Sequence, residues 1–162
     1  MPATTPRKVQ ESVVEMTEIV LPEDANSHGS IFGGRVLALV DKCAAIVAMR
    51  HTRSLVLTAS LDSVAFLNPV RVGHVMILKG RLNAVFGSSM EVDVQVFAEN
   101  PLSGKRNMTT RAFVTMVAVG PDGRPHTAPQ LTLETDAERD LAADATQRRQ
   151  ARLALRSPRG NR

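Results

Sequence analysis

The chain has 162 residues, 43% hydrophobic and 22% charged, an ordinary balance for one globular domain, and no apolar run is long enough for membrane insertion. Its formal charge of +4 comes largely from the C-terminal end, where seven arginines fall from Arg139 onward and the chain closes in SPRGNR, read as a solvated basic tail. No tryptophan or tyrosine and only five phenylalanines leave few stacking platforms, and no DNA-reading motif is present, so nucleic acid is not an expected partner.

The start, MPATTPRKVQESVV, has a basic pair but neither the apolar segment nor the small-residue cleavage site of a secretory signal; a flexible tail over 1–11 and a cytoplasmic location are expected. Residues 12–20, SVVEMTEIV, mix β-branched and polar side chains and predict a strand, after which LPEDANSHG supplies the residues of a loop. From Ile31 to about Met49 the chain is apolar nearly all round, broken by Arg35, Asp41 and Lys42. That pattern predicts a central helix about 30 Å long. Within it, Cys43 is the single cysteine, which excludes an internal disulfide and fits a reducing compartment.

Strand patterns follow. In SLVLTASLDSVAF, Leu55, Leu57, Ala59 and Leu61 alternate with Val56, Thr58, Ser60 and Asp62, the period of a half-buried strand. NPVRVGH reads as a turn. VMILKGRLNAVF places Met76, Leu78, Leu82, Ala84 and Phe86 on one face and Lys79, Arg81 and Asn83 on the other. MEVDVQVFA buries Met90, Val92, Val94 and Val96, and FGSS closes the pair as a hairpin. TTRAFVTMVAV, apolar on both faces, predicts an interior strand that PDGRP ends. Thr135 and Glu138 stand at capping-box spacing before an Ala- and Arg-rich helix reaching about Leu155, too poor in large apolar residues to fill a core. No internal repeat is evident. Periodicity alone gives an α+β domain with one central helix and five strands over 12–130, followed by a C-terminal surface helix and tail over 131–162.

Asp41 is the residue most out of place. Its helical neighbours at three and four residues are Leu37, Ala38, Ala44 and Ala45, so no local cation faces it, and that face suits a subunit interface. A carboxylate in a partly dry cleft can take a proton from water or attack a carbonyl. Asn26 lies in the loop before the helix, where asparagine is a natural turn former, yet its carboxamide could also donate to a developing oxyanion. Gly33 and Gly34 would let a substrate approach unpaired N–H groups at the helix start. Gly29 and Gly34 have the separation of a nucleotide-binding loop, but Arg35 and Val36 follow where Lys and Ser or Thr are required. Cys43 and His51, eight apart, are too distant along a regular helix for a thiol–imidazole couple. His28, His51, His74 and His126 show no paired ligand spacing, and no metal is expected.

Taken in order, LPEDANSHGSIFGGRVLALVDKCAAIVAMRH, LTASLDSVAFLNPVRVG, FGSSMEVDVQVFAE, VTMVAVGPDGRPHTAPQL and the PQLTLET before the last helix resemble the hotdog-fold acyl-CoA thioesterases. The likeness is to the brain-type cytosolic acyl-CoA hydrolase and its single-domain bacterial relatives. It implies a curved five-stranded antiparallel sheet wrapped around the central helix, and hydrolysis of fatty acyl-CoA to fatty acid and coenzyme A without a further cofactor. The family's catalytic asparagine falls on Asn26, its acid on Asp41, and a threonine implicated in bacterial relatives on Thr58. One site draws the asparagine and the aspartate from different protomers, so the resemblance implies a homo-oligomer, at least a dimer and in the family a trimer of dimers. It also implies that Gly87, Ser88 and Ser89 meet coenzyme A, with Arg106 a candidate for its phosphate. Two alternatives on the same fold are a non-catalytic acyl-CoA sensor, which would be expected to add a DNA-reading motif, and a dehydratase, which would be expected to place a histidine among its catalytic groups, whereas the helix centre offers Asp41.

Overall fold

The computed structural model describes residues 5–156; the closing SPRGNR of the basic tail lies outside the described residues. Strand β1 (Arg7–Lys8) runs into a 3-10 turn, Val9–Ser12, and then β2 (Val14–Ile19). After a second 3-10 turn, Pro22–Asp24, come helix α1 (Gly33–Thr52) and strands β3 (Leu55–Phe66), β4 (Val75–Phe86), β5 (Ser89–Glu99) and β6 (Arg106–Val119). A short β7 (Leu131–Thr132) precedes α2 (Asp136–Leu155). Five strands form one antiparallel sheet in the order β2-β4-β5-β6-β3, with α1 packed on one face and α2 on the other. β6 is interior, as its two apolar faces predict, and the whole is the expected single hotdog domain.

The core lies between α1 and the sheet. Val36, Leu39, Val40, Cys43, Ala44 and Val47 meet Met76, Leu78, Leu82, Val92, Val94 and Met116. α1 is not buried all round: Ala38, Lys42, Met49 and Arg50 are exposed, and Leu37, Asp41 and Ala45 half-buried. It comes close to the sheet at Gly80, where an added Cβ would stand 2.8 Å from Cys43 Sγ and 2.9 Å from Val47 Cγ2. Only glycine admits the helix at that point.

Three expectations are corrected. The segment read as a flexible tail over 1–11 is tied down from Arg7: β1 pairs in parallel with β7 in a separate two-stranded sheet, and Val9 is buried. In β3, Leu55 and Leu57 face outward at 65% and 59% exposure, and Val56 turns to the core instead. A register shift between Thr58 and Ser60 then leaves Ala59 unpaired and brings Leu61 inward, so strict alternation misreads this strand. A similar shift between Leu82 and Ala84 moves Ala84 and Phe86 to the face opposite Met76 and turns Val85 toward the core. In β5 Met90, Val92, Val94 and Val96 are buried as expected, and Glu91 and Asp93 on the opposite face are buried as well, because arginines cover that face: Arg148 of α2 on Glu91 and Arg111 of β6 on Asp93. α2 is the expected surface helix with the expected cap, the Glu138 N–H donating to Thr135 Oγ1 at 3.1 Å.

Candidate active site

The loop after β2 is organised by Asn26. Its Oδ1 accepts the N–H of His28 at 2.9 Å and of Ser30 at 3.2 Å, and its own N–H donates to Ser30 O at 2.8 Å. Two backbone donors fix which half of the amide is oxygen, and the Nδ2 hydrogens have no partner among the described residues. The loop is fastened to the helix by Arg35, which pairs with Glu18 at 2.7 Å and Asp24 at 3.2 Å, and by the Phe32 N–H donating to Asp24 O at 3.0 Å. Arg35 is therefore structural, and β2 and β3, which α1 joins, stand at opposite edges of the sheet rather than side by side as a nucleotide loop requires.

Asn26 opens into a cleft of about 380 Å³, lined also by Ser30, Gly33, Phe66, Asn68 and Thr110. At the start of α1, the Arg35 and Val36 N–H groups close on Phe32 O, whereas no hydrogen bond among the described residues uses the N–H of Gly33 or Gly34. These free donors sit at the positive end of a 20-residue helix. A side chain at position 33 would come within 3.2 Å of the Phe66 ring, while position 34 faces open space. The cleft thus offers N–H donors from two directions, a seat for a polarised carbonyl oxygen.

Asp41 lies eight residues beyond Gly33 on α1, about 12 Å farther along the helix axis, and does not line that cleft. Its Oδ1 accepts the Thr58 hydroxyl at 2.6 Å. Thr58 reaches it because its register partner is Met116, whose side chain faces α1; the bulge after Thr58 sends Ser60 and Asp62 to the other face. The sequence reading grouped all three on one polar face, so Thr58 is separated from the other two. Oδ2 of Asp41 has no partner among the described residues.

The structure therefore groups the candidates in two places, Asn26 with Gly33 and Gly34, and Asp41 with Thr58. Gly87, Ser88 and Ser89 join neither. They close the β4–β5 hairpin at the far end of a 12-residue strand, about 36 Å from its other end. Gly87 has φ +66, its carbonyl accepts the Ala128 N–H at 2.9 Å, and Ser89 Oγ donates to Phe86 O at 3.3 Å. Arg106 is exposed and holds Glu99 through Nε at 3.2 Å and a terminal nitrogen at 2.8 Å. Sequence reasoning missed Phe66, Asn68 and Thr110; NPV signalled only a turn, and nothing local announces that the turn borders Asn26.

Cys43 and His51 are no catalytic couple. Burial pushes the Cys43 thiol up to about 11, which keeps it protonated. Burial likewise lowers the pKa of His51, whose Nε2 is 2.8 Å from Pro129 O while Nδ1 has no partner. Among the described residues, no three of His, Cys, Asp and Glu are grouped as metal ligands.

A helix lying on a five-stranded antiparallel sheet, with an amide-and-glycine cleft at its start and a carboxylate farther along, is the layout of a hydrolytic hotdog protein. The chain belongs to the thioesterase superfamily, whose sequence profile matches residues 28–105, and groups within it with the acyl-CoA thioester hydrolases. It is 39% identical over 142 residues to the Bacillus subtilis acyl-CoA thioester hydrolase YkhA, spanning 88% of this chain and 83% of that one. With the mouse cytosolic acyl coenzyme A thioester hydrolase it shares 36% identity over 136 residues, which is 83% of this chain but only 36% of the mouse protein. Among solved structures, an apo-hexameric acyl-CoA thioesterase superposes with a TM-score of 0.91 at 41% identity, covering 96% of this chain and 99% of that one. The Staphylococcus aureus acyl-CoA hydrolase, solved with butyryl coenzyme A and coenzyme A, gives 0.86 at 35% identity over 93% and 92%. That hydrolase has also been solved with an asparagine, an aspartate and a threonine each changed to alanine. The three follow one another at separations of 15 and 17 residues, the same separations as Asn26, Asp41 and Thr58.

Proposed function

We propose that the protein hydrolyses fatty acyl-CoA to a free fatty acid and coenzyme A, at a site that Asn26 of one protomer and Asp41 of another complete together. The observation that carries this reading is the division of the chemistry into two prepared half-sites within one chain. Asn26 has its oxygen held and its N–H groups free, and Asp41 has one oxygen held by Thr58 and the other free. Neither half suffices alone. The alanine variants chosen in the S. aureus hydrolase support the same three residues.

In this reading the thioester carbonyl oxygen takes hydrogen bonds from Asn26 Nδ2 and from the N–H of Gly33 or Gly34, and these strengthen as negative charge develops. Asp41 then acts through its free oxygen, with Thr58 holding the other. As general base it accepts a proton from water while the water oxygen bonds to the carbonyl carbon. Collapse of the tetrahedral intermediate breaks the C–S bond, and coenzyme A leaves as the thiolate, which takes up the proton. As nucleophile, Asp41 would instead attack the carbonyl carbon and break the C–S bond, expelling the coenzyme A thiolate and leaving an anhydride that water opens in a second step. Single turnover in oxygen-18 water separates the routes: the base route labels the fatty acid in the first turnover, the nucleophile route labels Asp41 when water attacks its side of the anhydride. No cofactor enters either route; coenzyme A is part of the substrate and then a product.

The chain assembles as a homo-oligomer, dimer at least and a trimer of dimers on the pattern of its hexameric relative. Supporting this, β3 is an open edge strand of 12 residues with Leu55, Leu57 and Phe66 exposed. The hairpin of Gly87, Ser88 and Ser89 would meet coenzyme A from the Asp41 side of the site, since Ser89 shares a ladder row with Val117 and Leu57, next to Thr58. A cytoplasmic location agrees with the mouse cytosolic relative. The test follows thiol release from acyl-CoAs of several chain lengths, beside Asp41→Asn. Wild type should release thiol and the variant should fall about 10³-fold. Equal rates would remove Asp41 from the mechanism. Tight acyl-CoA binding without any thiol release would make the protein a sensor.

A further inference from the structure

On strand β6, Ala112, Val114, Met116 and Ala118 belong to the core beneath α1, the first three standing opposite Val94, Val92 and Met90 of β5. Thr110 continues this row without a register shift, paired with the core residue Val96 on one side and Phe66 on the other. Directly opposed residues share a face, so one hydroxyl closes a row that is otherwise apolar. Thr110 is 1% exposed, and it lines the cleft that holds Asn26 and Gly33.

Threonines nearby have their hydroxyls engaged. Thr109 Oγ1 donates to Val96 O at 3.1 Å, Thr52 Oγ1 to Ala48 O at 2.9 Å, and Thr58 Oγ1 to Asp41. Thr115 Oγ1 is unpartnered, but it lies on the opposite face of the sheet, across from Glu91. No hydrogen bond among the described residues engages the Thr110 side chain. A buried hydroxyl without a partner costs stability that valine at the same place would not, so the partner has to come from what fills the cleft.

The other prepared groups of the cleft are donors. Asn26 Oδ1 is taken by the His28 and Ser30 N–H groups, which leaves its Nδ2 hydrogens and the N–H of Gly33 and Gly34 facing the substrate. These suit the carbonyl oxygen, which accepts. An attacking water has the opposite need: one hydrogen goes to the base, and the other requires an acceptor so that a lone pair is aimed at the carbonyl carbon. Thr110 Oγ1 can accept, and it stands on an interior strand of the sheet. Ser30 and Asn68 also border the cleft, but both are more exposed and lie outside the long strands.

The geometry points to Thr110 as a further catalytic residue, whose hydroxyl accepts a hydrogen bond from the attacking water on the Asn26 side of the site. This rests on the thioesterase reading above. In the general-base route, the water oxygen bonds to the carbonyl carbon and one proton passes to Asp41. The hydrogen held by Thr110 stays on that oxygen and leaves with the fatty acid, so Thr110 itself neither gains nor loses a proton. In the nucleophile route, the same contact places the water that opens the anhydride.

The test measures kcat and KM for one acyl-CoA, and the urea midpoint at one protein concentration, for wild type, Thr110→Val and Thr110→Ser. Valine completes the apolar row, so the account predicts a midpoint no lower than wild type together with a kcat about tenfold lower and KM within about twofold. Serine keeps the oxygen and drops the methyl, so kcat should stay within about threefold of wild type while the midpoint falls. Loss of activity without loss of stability, restored by serine, is a pattern that a structural hydroxyl does not give. A rise in KM at unchanged kcat would make Thr110 a substrate-binding group, and a kcat that follows the midpoint down in both variants would make it structural; either overturns the assignment. If wild type releases no thiol, the thioesterase reading fails and takes the water contact with it. An active wild type matched by Thr110→Val removes Thr110 alone.

Discussion

Asp41 makes its one hydrogen bond to Thr58 through Oδ1, and this contact gives a graded expectation for the site. Thr58→Ala keeps the carboxylate but removes what orients it, so kcat should drop about tenfold, far less than for Asp41→Asn. Asn26→Ala removes a donor to the oxyanion, an expected loss of about 10²–10³-fold in kcat. Thr58→Ser, which restores the hydroxyl, should recover most of the rate, an outcome a purely structural role for Thr58 would not give. At the foot of the core, Gly80→Ala drives a methyl against Cys43 and Val47 and should cost about 1–3 kcal/mol, read from the urea midpoint. His51 supplies the pH dependence. Its folded-state pKa lies below the ordinary histidine value because burial penalises the cation. The unfolded chain therefore binds a proton first as pH falls, so this contribution is complete above about pH 6.5 and is lost progressively below it. Denaturation midpoints at about pH 7.5 and 5.5 should show a drop in wild type that is smaller in His51→Gln.

At the scale of elements, helix lengths and caps were the most legible features, because they depend on neighbours three and four residues away. Thr135 and Glu138 signalled α2 from spacing alone. Faces were legible where the ladder is regular, as for Met90, Val92, Val94 and Val96, and were lost where a bulge intervenes, since one unpaired residue reverses every later side chain. Neither the Ala59 bulge nor the shift after Leu82 has a glycine or proline to announce it. Burial of Glu91 was equally hidden: its partners are Asn83 across the ladder and Arg148, 57 residues later, which also stands 3.7 Å from the Phe113 ring. Removing that arginine would strand a buried carboxylate, so Arg148→Met should cost about 3–5 kcal/mol by urea denaturation. Exchanging both partners, Glu91→Gln with Arg148→Met, should cost clearly less, which separates a stranded charge from lost packing.

For the whole molecule, the family was readable because separated motifs agreed in order, whereas the two half-sites were readable only as residue types. Asparagine before a helix and aspartate within it do not reveal by spacing that about 12 Å of helix keeps Asp41 out of the Asn26 cleft in their own chain. In the proposed site symmetry joins them: a two-fold copy that brings Asp41 of one protomer to Asn26 of the other would make two equivalent sites. The same symmetry sets a quantitative expectation. Asn26→Ala and Asp41→Asn are each inactive alone, but a mixed pair holds one site with both defects and one with neither. The measurement is thiol release after the two purified variants are mixed in equal amounts, partly unfolded and refolded together, beside each variant treated alone. The account predicts that about a quarter of wild-type activity returns only in the mixture, from random pairing at a two-fold interface. A mixture no more active than its components, with mixed oligomers verified by mass, would contradict a site shared between protomers.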